Sequence, residues 1–94
     1  MGLDIVIFNK GGKKDFTEIK ENLHYWIFNE SIVNINSYKE LTKIKDYYLT
    51  DVIFSGTELK DFINELKSIQ HPDINKIIEK IEQDSVEKIR IAGD

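Results

Sequence analysis

Few residues in this sequence are suited to chemistry, and their spacing argues against most reactions. Histidine occurs twice, at His24 and His71. Neither has a second histidine or a carboxylate at metal-ligand spacing, and there is no HExxH pattern. The serines are Ser31, Ser37, Ser55, Ser68 and Ser85. Ser37 and Ser55 are accounted for as helix caps, and Ser55-Gly56 lacks the GxSxG context of a nucleophile elbow. Without cysteine, a thiol nucleophile, a thiolate metal site and a disulfide are all excluded. The turn Asn9-Lys10-Gly11-Gly12-Lys13-Lys14 falls where phosphate loops sit. Its glycine spacing is wrong and no hydroxyl follows the lysines, so it reads as a turn with solvated lysines. Glu58, Asp61 and Glu65 share one helical face at i, i+3 and i+7, an arrangement that serves acid/base work or a divalent cation in some enzymes. Lys60 and Lys67 dilute that face, and a solvated surface is the simpler account. No catalytic residue, metal ligand or cofactor is assigned.

What remains is a recognition surface. An acidic stretch with aromatics at its start supplies the partner-binding candidates Tyr47, Tyr48, Asp51, Glu58, Asp61 and Glu65. Tyrosine rings give contact area and neighbouring carboxylates give electrostatic steering toward a basic partner. At least one of Tyr47 and Tyr48 is expected to be partly core. The net charge of −4 is uneven. Residues 1–45 hold seven bases and six acids, whereas residues 46–94 hold six bases and eleven acids. An acidic half disfavours nucleic acid, whose affinity comes from lysine and arginine displacing counterions. It suits a basic protein partner, with ordinary solubility as the competing explanation.

The elements that must position these residues follow from periodicity. Leu3 to Phe8 is a β-branched apolar run that predicts a strand, central and covered on both faces. Asp15 before Phe16-Thr17-Glu18 resembles an acidic capping box, and Phe16, Ile19, Leu23, Trp26 and Ile27 keep helical spacing. That predicts a helix to about Phe28, heavily buried because Tyr25 and Phe28 widen the stripe. Asn29 to Asn36 reads as a loop in which Ile32, Val33 and Ile35 could pair briefly with a strand. Ser37-Tyr38-Lys39-Glu40 opens a second helix with Tyr38, Leu41, Ile44 and Tyr48 inward. Leu49 to Phe54 predicts a second strand. Ser55-Gly56-Thr57-Glu58 then starts a helix carrying Leu59, Phe62, Ile63, Leu66 and Ile69. His71-Pro72-Asp73 ends that helix and caps a fourth, with Ile74, Ile77, Ile78 and Ile81 on one face. Glu87 to Ala92 alternates as a half-buried edge strand, with a continued helix as the competitor. The predicted order is β-α-α-β-α-α-β, an α+β or small α/β fold with a three-stranded sheet covered by helices.

The length of 94 residues suits a single domain, 1–94, and 40% hydrophobic residues can fill one modest core. No apolar run approaches the ~20 residues of a membrane span, and no N-terminal signal is visible. A small domain without disulfide staples points to a reducing, cytoplasmic setting. Twelve lysines against the lone Arg90, with many Ile and Asn, look like a bacterial AT-rich genome.

Met1-Gly2-Leu3-Asp4-Ile5-Val6-Ile7-Phe8 and Phe54-Ser55-Gly56-Thr57-Glu58-Leu59, with Glu65-Leu66 and Ile69, resemble small bacterial immunity proteins of polymorphic toxin systems, in particular the immunity protein 70 family. The resemblance implies a protein that binds a cognate toxin and covers its active cleft, and it carries over no catalytic residues. An acidic surface suits that role when the toxin is a nuclease, whose cleft is basic. Two other classes stay open: a regulatory or assembly module that homodimerises through its C-terminal edge strand, and a small enzyme.

Overall fold

The computed structural model describes residues 2–31 and 37–93. Along the chain run β1 (Gly2–Asn9), β2 (Lys14–Lys20), α1 (Glu21–Tyr25), β3 (Asp51–Ser55), α2 (Gly56–Ile69), α3 (Pro72–Ile81) and β4 (Val86–Ala92). A π-helical turn (Trp26–Glu30) continues α1, and a 3₁₀ turn (Leu41–Ile44) precedes β3. The sheet order is β2-β1-β4-β3 and every neighbouring pair is antiparallel. The fold is therefore α+β, with four strands where three were expected.

The extra strand comes from residues predicted to open the first helix. After β1, the turn is closed by the Asn9 amide on the Lys13 carbonyl at 2.8 Å and the Gly12 amide on the Asn9 carbonyl at 3.0 Å. Gly12 adopts φ 87, a left-handed conformation that glycine takes without a Cβ penalty. The chain then doubles back, pairing Phe8 with Lys14 through to Gly2 with Lys20. The helical spacing of Phe16, Ile19, Leu23, Trp26 and Ile27 mixed two elements. Ile19 is 1% exposed and points into the core, whereas Phe16 is 62% exposed on the opposite face. The proposed cap at Asp15 is satisfied by its own neighbour, the Phe16 amide, at 2.8 Å. In the short α1 and the π-turn that follow, Leu23 and Ile27 are buried but Tyr25 is largely exposed and Phe28 is partly so. The first helix is thus shorter and less buried than its stripe implied.

The second predicted helix is reduced to the 3₁₀ turn. Leu41 and Ile44 point inward as expected, but Tyr48 is turned out. This turn is capped from a distance. The Glu65 carboxylate on α2 accepts the Glu40 amide at 3.2 Å and the Leu41 amide at 2.8 Å, so the turn is fastened to α2. The Asp46 carboxylate then accepts the amides of Tyr48 and Leu49 at 2.9 and 2.8 Å, which starts a separate single turn, closed by the Thr50 amide on the Asp46 carbonyl at 3.2 Å before β3. The pairing suggested for Ile32, Val33 and Ile35 lies outside the described residues.

The later elements follow their pattern. Leu59, Phe62, Ile63, Leu66 and Ile69 on α2 and Ile74, Ile77, Ile78 and Ile81 on α3 are all buried. Ser55 occupies the N-cap of α2, although its hydroxyl makes no capping bond. His71 caps α3 through Nδ1, which accepts the Asp73 amide at 3.1 Å, with Pro72 pre-set at the first helical position. Residues 86–92 form a strand, but an interior one. β4 lies between β1 and β3, so its two hydrogen-bonding edges are both taken, and the sheet's edges are β2 and β3. Pairing of two chains through a C-terminal edge strand is therefore not open to β4.

One face of the sheet makes the core. Leu3, Ile5 and Ile7, Ile19, Phe54, and Ile89 and Ile91 are buried there together with the helix faces. Phe54 and Phe62 stack with ring centroids 4.4 Å apart and planes at 16°. β1 is central as expected, yet it is covered on one face only: Val6 and Phe8 on the other keep partial exposure. That leaves the second face of the sheet open.

Candidate protein-binding site

An aromatic surface feature lies where α1 and its π-turn meet the segment before β3. His24 is buried, and its Nε2 donates to the Ile44 carbonyl at 2.9 Å, tying α1 to the 3₁₀ turn. The imidazole packs against Phe28 at 4.7 Å and against the edge of Tyr47 at 5.1 Å. Tyr47 is thereby held partly buried, the role expected for one of the two tyrosines. Tyr48 meets it in a T-shaped contact at 5.2 Å and is itself 64% exposed. On the α1 side, Tyr25 is 56% exposed, and Trp26 packs on the His71 ring at 4.5 Å.

Between these rings is a concave site of about 590 Å³, lined by Tyr25, Trp26, Tyr47 and Tyr48 with Glu21 and Glu30 among its polar residues. Its volume falls in the range of small-ligand and peptide clefts. The π-turn matters to its shape. A π-turn inserts an extra residue into a helical path, here closed by the Ser31 amide on the Trp26 carbonyl at 2.8 Å, and such turns re-aim the side chains around them. Four rings and two carboxylates are suited to a guanidinium or ammonium group: the ring faces attract the cation and the carboxylates neutralise it. They hold no nucleophile–base pair. Among the described residues no group of three or more His, Asp and Glu is placed to hold a metal ion, and no helix is long and apolar enough to cross a membrane.

No family model, curated protein or solved structure matches this chain.

The six partner-binding candidates are distributed over three places. Tyr47 and Tyr48 stand together in the cleft wall. Asp51 lies on the open face of the sheet, where its two carboxylate oxygens accept from Arg90 Nε and Nη2 at 2.9 Å each. That bidentate hydrogen bond holds the Asp51 carboxyl below the usual carboxylate range and raises Arg90. Glu58, Asp61 and Glu65 lie on α2. Glu65 fastens the 3₁₀ turn, and Glu58 meets Lys43 at 3.0 Å. Lys43 also meets the buried Glu40 at 2.7 Å, and hydrogen bonds to Glu40 first and Glu58 second raise its pKa. Asp61 is exposed on α2.

Three of the four candidate carboxylates, Asp51, Glu58 and Glu65, are therefore engaged by groups of the chain itself. Sequence reasoning missed Tyr25, Trp26, Glu21 and Glu30 as cleft residues. The available signal was the density of aromatics from His24 to Phe28, which the helical stripe assigned wholly to the core.

Proposed function

We propose that this chain is a protein-binding domain that inhibits a basic partner, in the manner of an immunity protein neutralising a bacterial nuclease toxin, and that the aromatic cleft takes a lysine or arginine side chain of that partner. The observation that carries the reading is the composition of the cleft. Tyr25 and Tyr48 offer exposed rings, Trp26 and Tyr47 line the cleft as half-buried rings, and Glu21 and Glu30 add negative charge. Buried aromatic anchors with a charged rim are the usual hot-spot chemistry of protein interfaces. The acidic second half of the chain supports the same partner class through long-range steering. The toxin role is also supported by the resemblance carried by Met1 to Phe8 and Phe54 to Leu59.

The chain has a single tryptophan, Trp26, and it lines the cleft. Its emission therefore reports occupancy directly. Arginine-rich and lysine-rich peptides should change the emission saturably, while an acidic peptide of equal length should not. Tyr25→Ala with Tyr48→Ala should weaken binding at least about tenfold, the equivalent of ~1.4 kcal/mol, without shifting the unfolding midpoint. Equal responses to acidic and basic peptides would remove the cleft from the proposal. The toxin role is tested by co-expressing the chain with the product of the adjacent gene. Growth rescue that depends on Tyr25 and Tyr48 supports it, and a non-toxic neighbour refutes it.

A further inference from the structure

On the side of the sheet away from the helices, the strand registers place three rows of outward-pointing side chains. The middle row runs Phe16, Val6, Arg90, Ile53 from β2 to β3. Three of these four are apolar, with Phe16 62% and Ile53 50% exposed. An antiparallel sheet with one solvated face normally turns polar residues outward, so this row is out of character for a surface meant to stay in water.

The rows on either side carry opposite charge. Toward the β1–β2 turn lie Lys14, Phe8, Lys88 and Ser55, with both lysine ammonium groups over the Phe8 ring at 5.4 and 5.2 Å. At the other end lie Glu18, Asp4, Ala92 and Asp51, with Lys20 at the outer corner. The face is thus apolar across its middle, basic at one end and acidic at the other.

We infer that this open face is a self-association surface, whose occupant is the same face of a second copy of the chain. The charge pattern selects the symmetry. A two-fold axis lying along the middle row keeps the strand order and exchanges the ends. Lys14 then stands over the partner's Glu18, and Lys88 falls between the partner's Asp4 and the partner's Asp51. In the middle rows Phe16, Val6 and Ile53 meet their own copies, and the two Arg90 side chains that also meet there are each neutralised by the Asp51 of their own chain. An axis along the strands would instead lay basic row on basic row and acidic on acidic, which like charges oppose.

Strand spacings of ~4.8 Å and ~3.4 Å per residue give the face a plan area of roughly 400 Å². That places the dimer at the small end of specific interfaces and predicts weak association, with a dissociation constant of about 10⁻⁵ M or above. The aromatic cleft lies outside these three rows, so self-association and partner binding are separable.

Sedimentation equilibrium of the full chain from ~5 μM to ~1 mM tests the inference, with circular dichroism to confirm folding. A monomer–dimer equilibrium that Phe16→Glu or Ile53→Glu weakens at least about tenfold is the expected result. Lys14→Glu should weaken it as well, and adding Glu18→Lys should restore it by exchanging the two charges. A monomer throughout overturns the inference, and so does a dimer indifferent to Phe16→Glu and Ile53→Glu. Saturable binding of a single-stranded oligonucleotide that requires Lys14 and Lys88, in a chain that stays monomeric, also overturns it by assigning the face to nucleic acid.

Discussion

Glu65 offers the sharpest test, because its carboxylate caps a turn that belongs to a different part of the chain. Replacing it with alanine leaves α2 intact and removes the acceptor for two amides, those of Glu40 and Leu41. Both residues are almost inaccessible, at 2% and 0% exposure, so water cannot easily substitute. A buried donor left without a partner costs about 1–3 kcal/mol. Alanine's better helix propensity returns a few tenths of that at most. Partial exposure of Glu65 itself lets the turn relax toward solvent, so about 2–4 kcal/mol is expected for the pair. A domain of this size has a total stability of roughly 5–14 kcal/mol, so the loss is large. Glu65→Gln keeps an acceptor oxygen and should cost about 1 kcal/mol. Urea unfolding, followed through Trp26 emission and far-ultraviolet dichroism together, gives both values. Asp61→Ala, on the exposed side of α2, is the control and should fall within ~0.5 kcal/mol of the parent. If Glu65→Ala also falls within that margin, the cap carries no stability and the account of a 3₁₀ turn fastened to α2 through Glu65 fails.

Gly93→Ala should destabilise by about 1–3 kcal/mol, because a Cβ there would meet the Tyr47 carbonyl oxygen at 2.5 Å and that of Tyr48 at 2.8 Å, both backbone atoms; a midpoint in urea equal to the parent's would refute it. Phe54→Ala removes a ring stacked on Phe62 in the core and should cost about 3–5 kcal/mol in the same assay. Arg90 lowers the Asp51 pKa, so the pair favours the folded state above the usual carboxylate pKa, and that contribution is lost as pH falls through the depressed value. The pair is exposed and screened by salt, so Arg90→Ala should raise the Asp51 carboxyl pKa, seen by side-chain carbon NMR, with little change in stability at neutral pH. An unchanged Asp51 titration would show that the bidentate contact does not persist in solution.

The parts of the fold that sequence exposes are those whose signal is local and one-sided. α2 and α3 carry five and four buried apolar residues at helical spacing, and β4 alternates cleanly. β2 was hidden because it is an edge strand with one face open. Only Ile19 points into the core, and its remaining apolar residue, Phe16, fell by coincidence on the stripe of the helix that follows. The segment before β3 was hidden for a different reason. Its amides are satisfied by Glu65, twenty-four residues beyond Leu41, and no local pattern announces such a partner. The candidate site was legible only in its tyrosines. Which carboxylates are internally engaged depends on Lys43, Arg90 and the Glu40 and Leu41 amides, and those pairings exist only in three dimensions.

The interior place of β4 also governs how the sheet is made. Within the sheet the β1–β2 hairpin and β3 share no strand-to-strand hydrogen bonds, and β4 is the strand that pairs with both parts. Of these elements β4 is the last to leave the ribosome, so during synthesis the two halves each expose an apolar face and an unpaired edge. The sheet is complete only once β4 pairs with both β1 and β3, and without it each of those strands keeps an open hydrogen-bonding edge on which an extended segment could add.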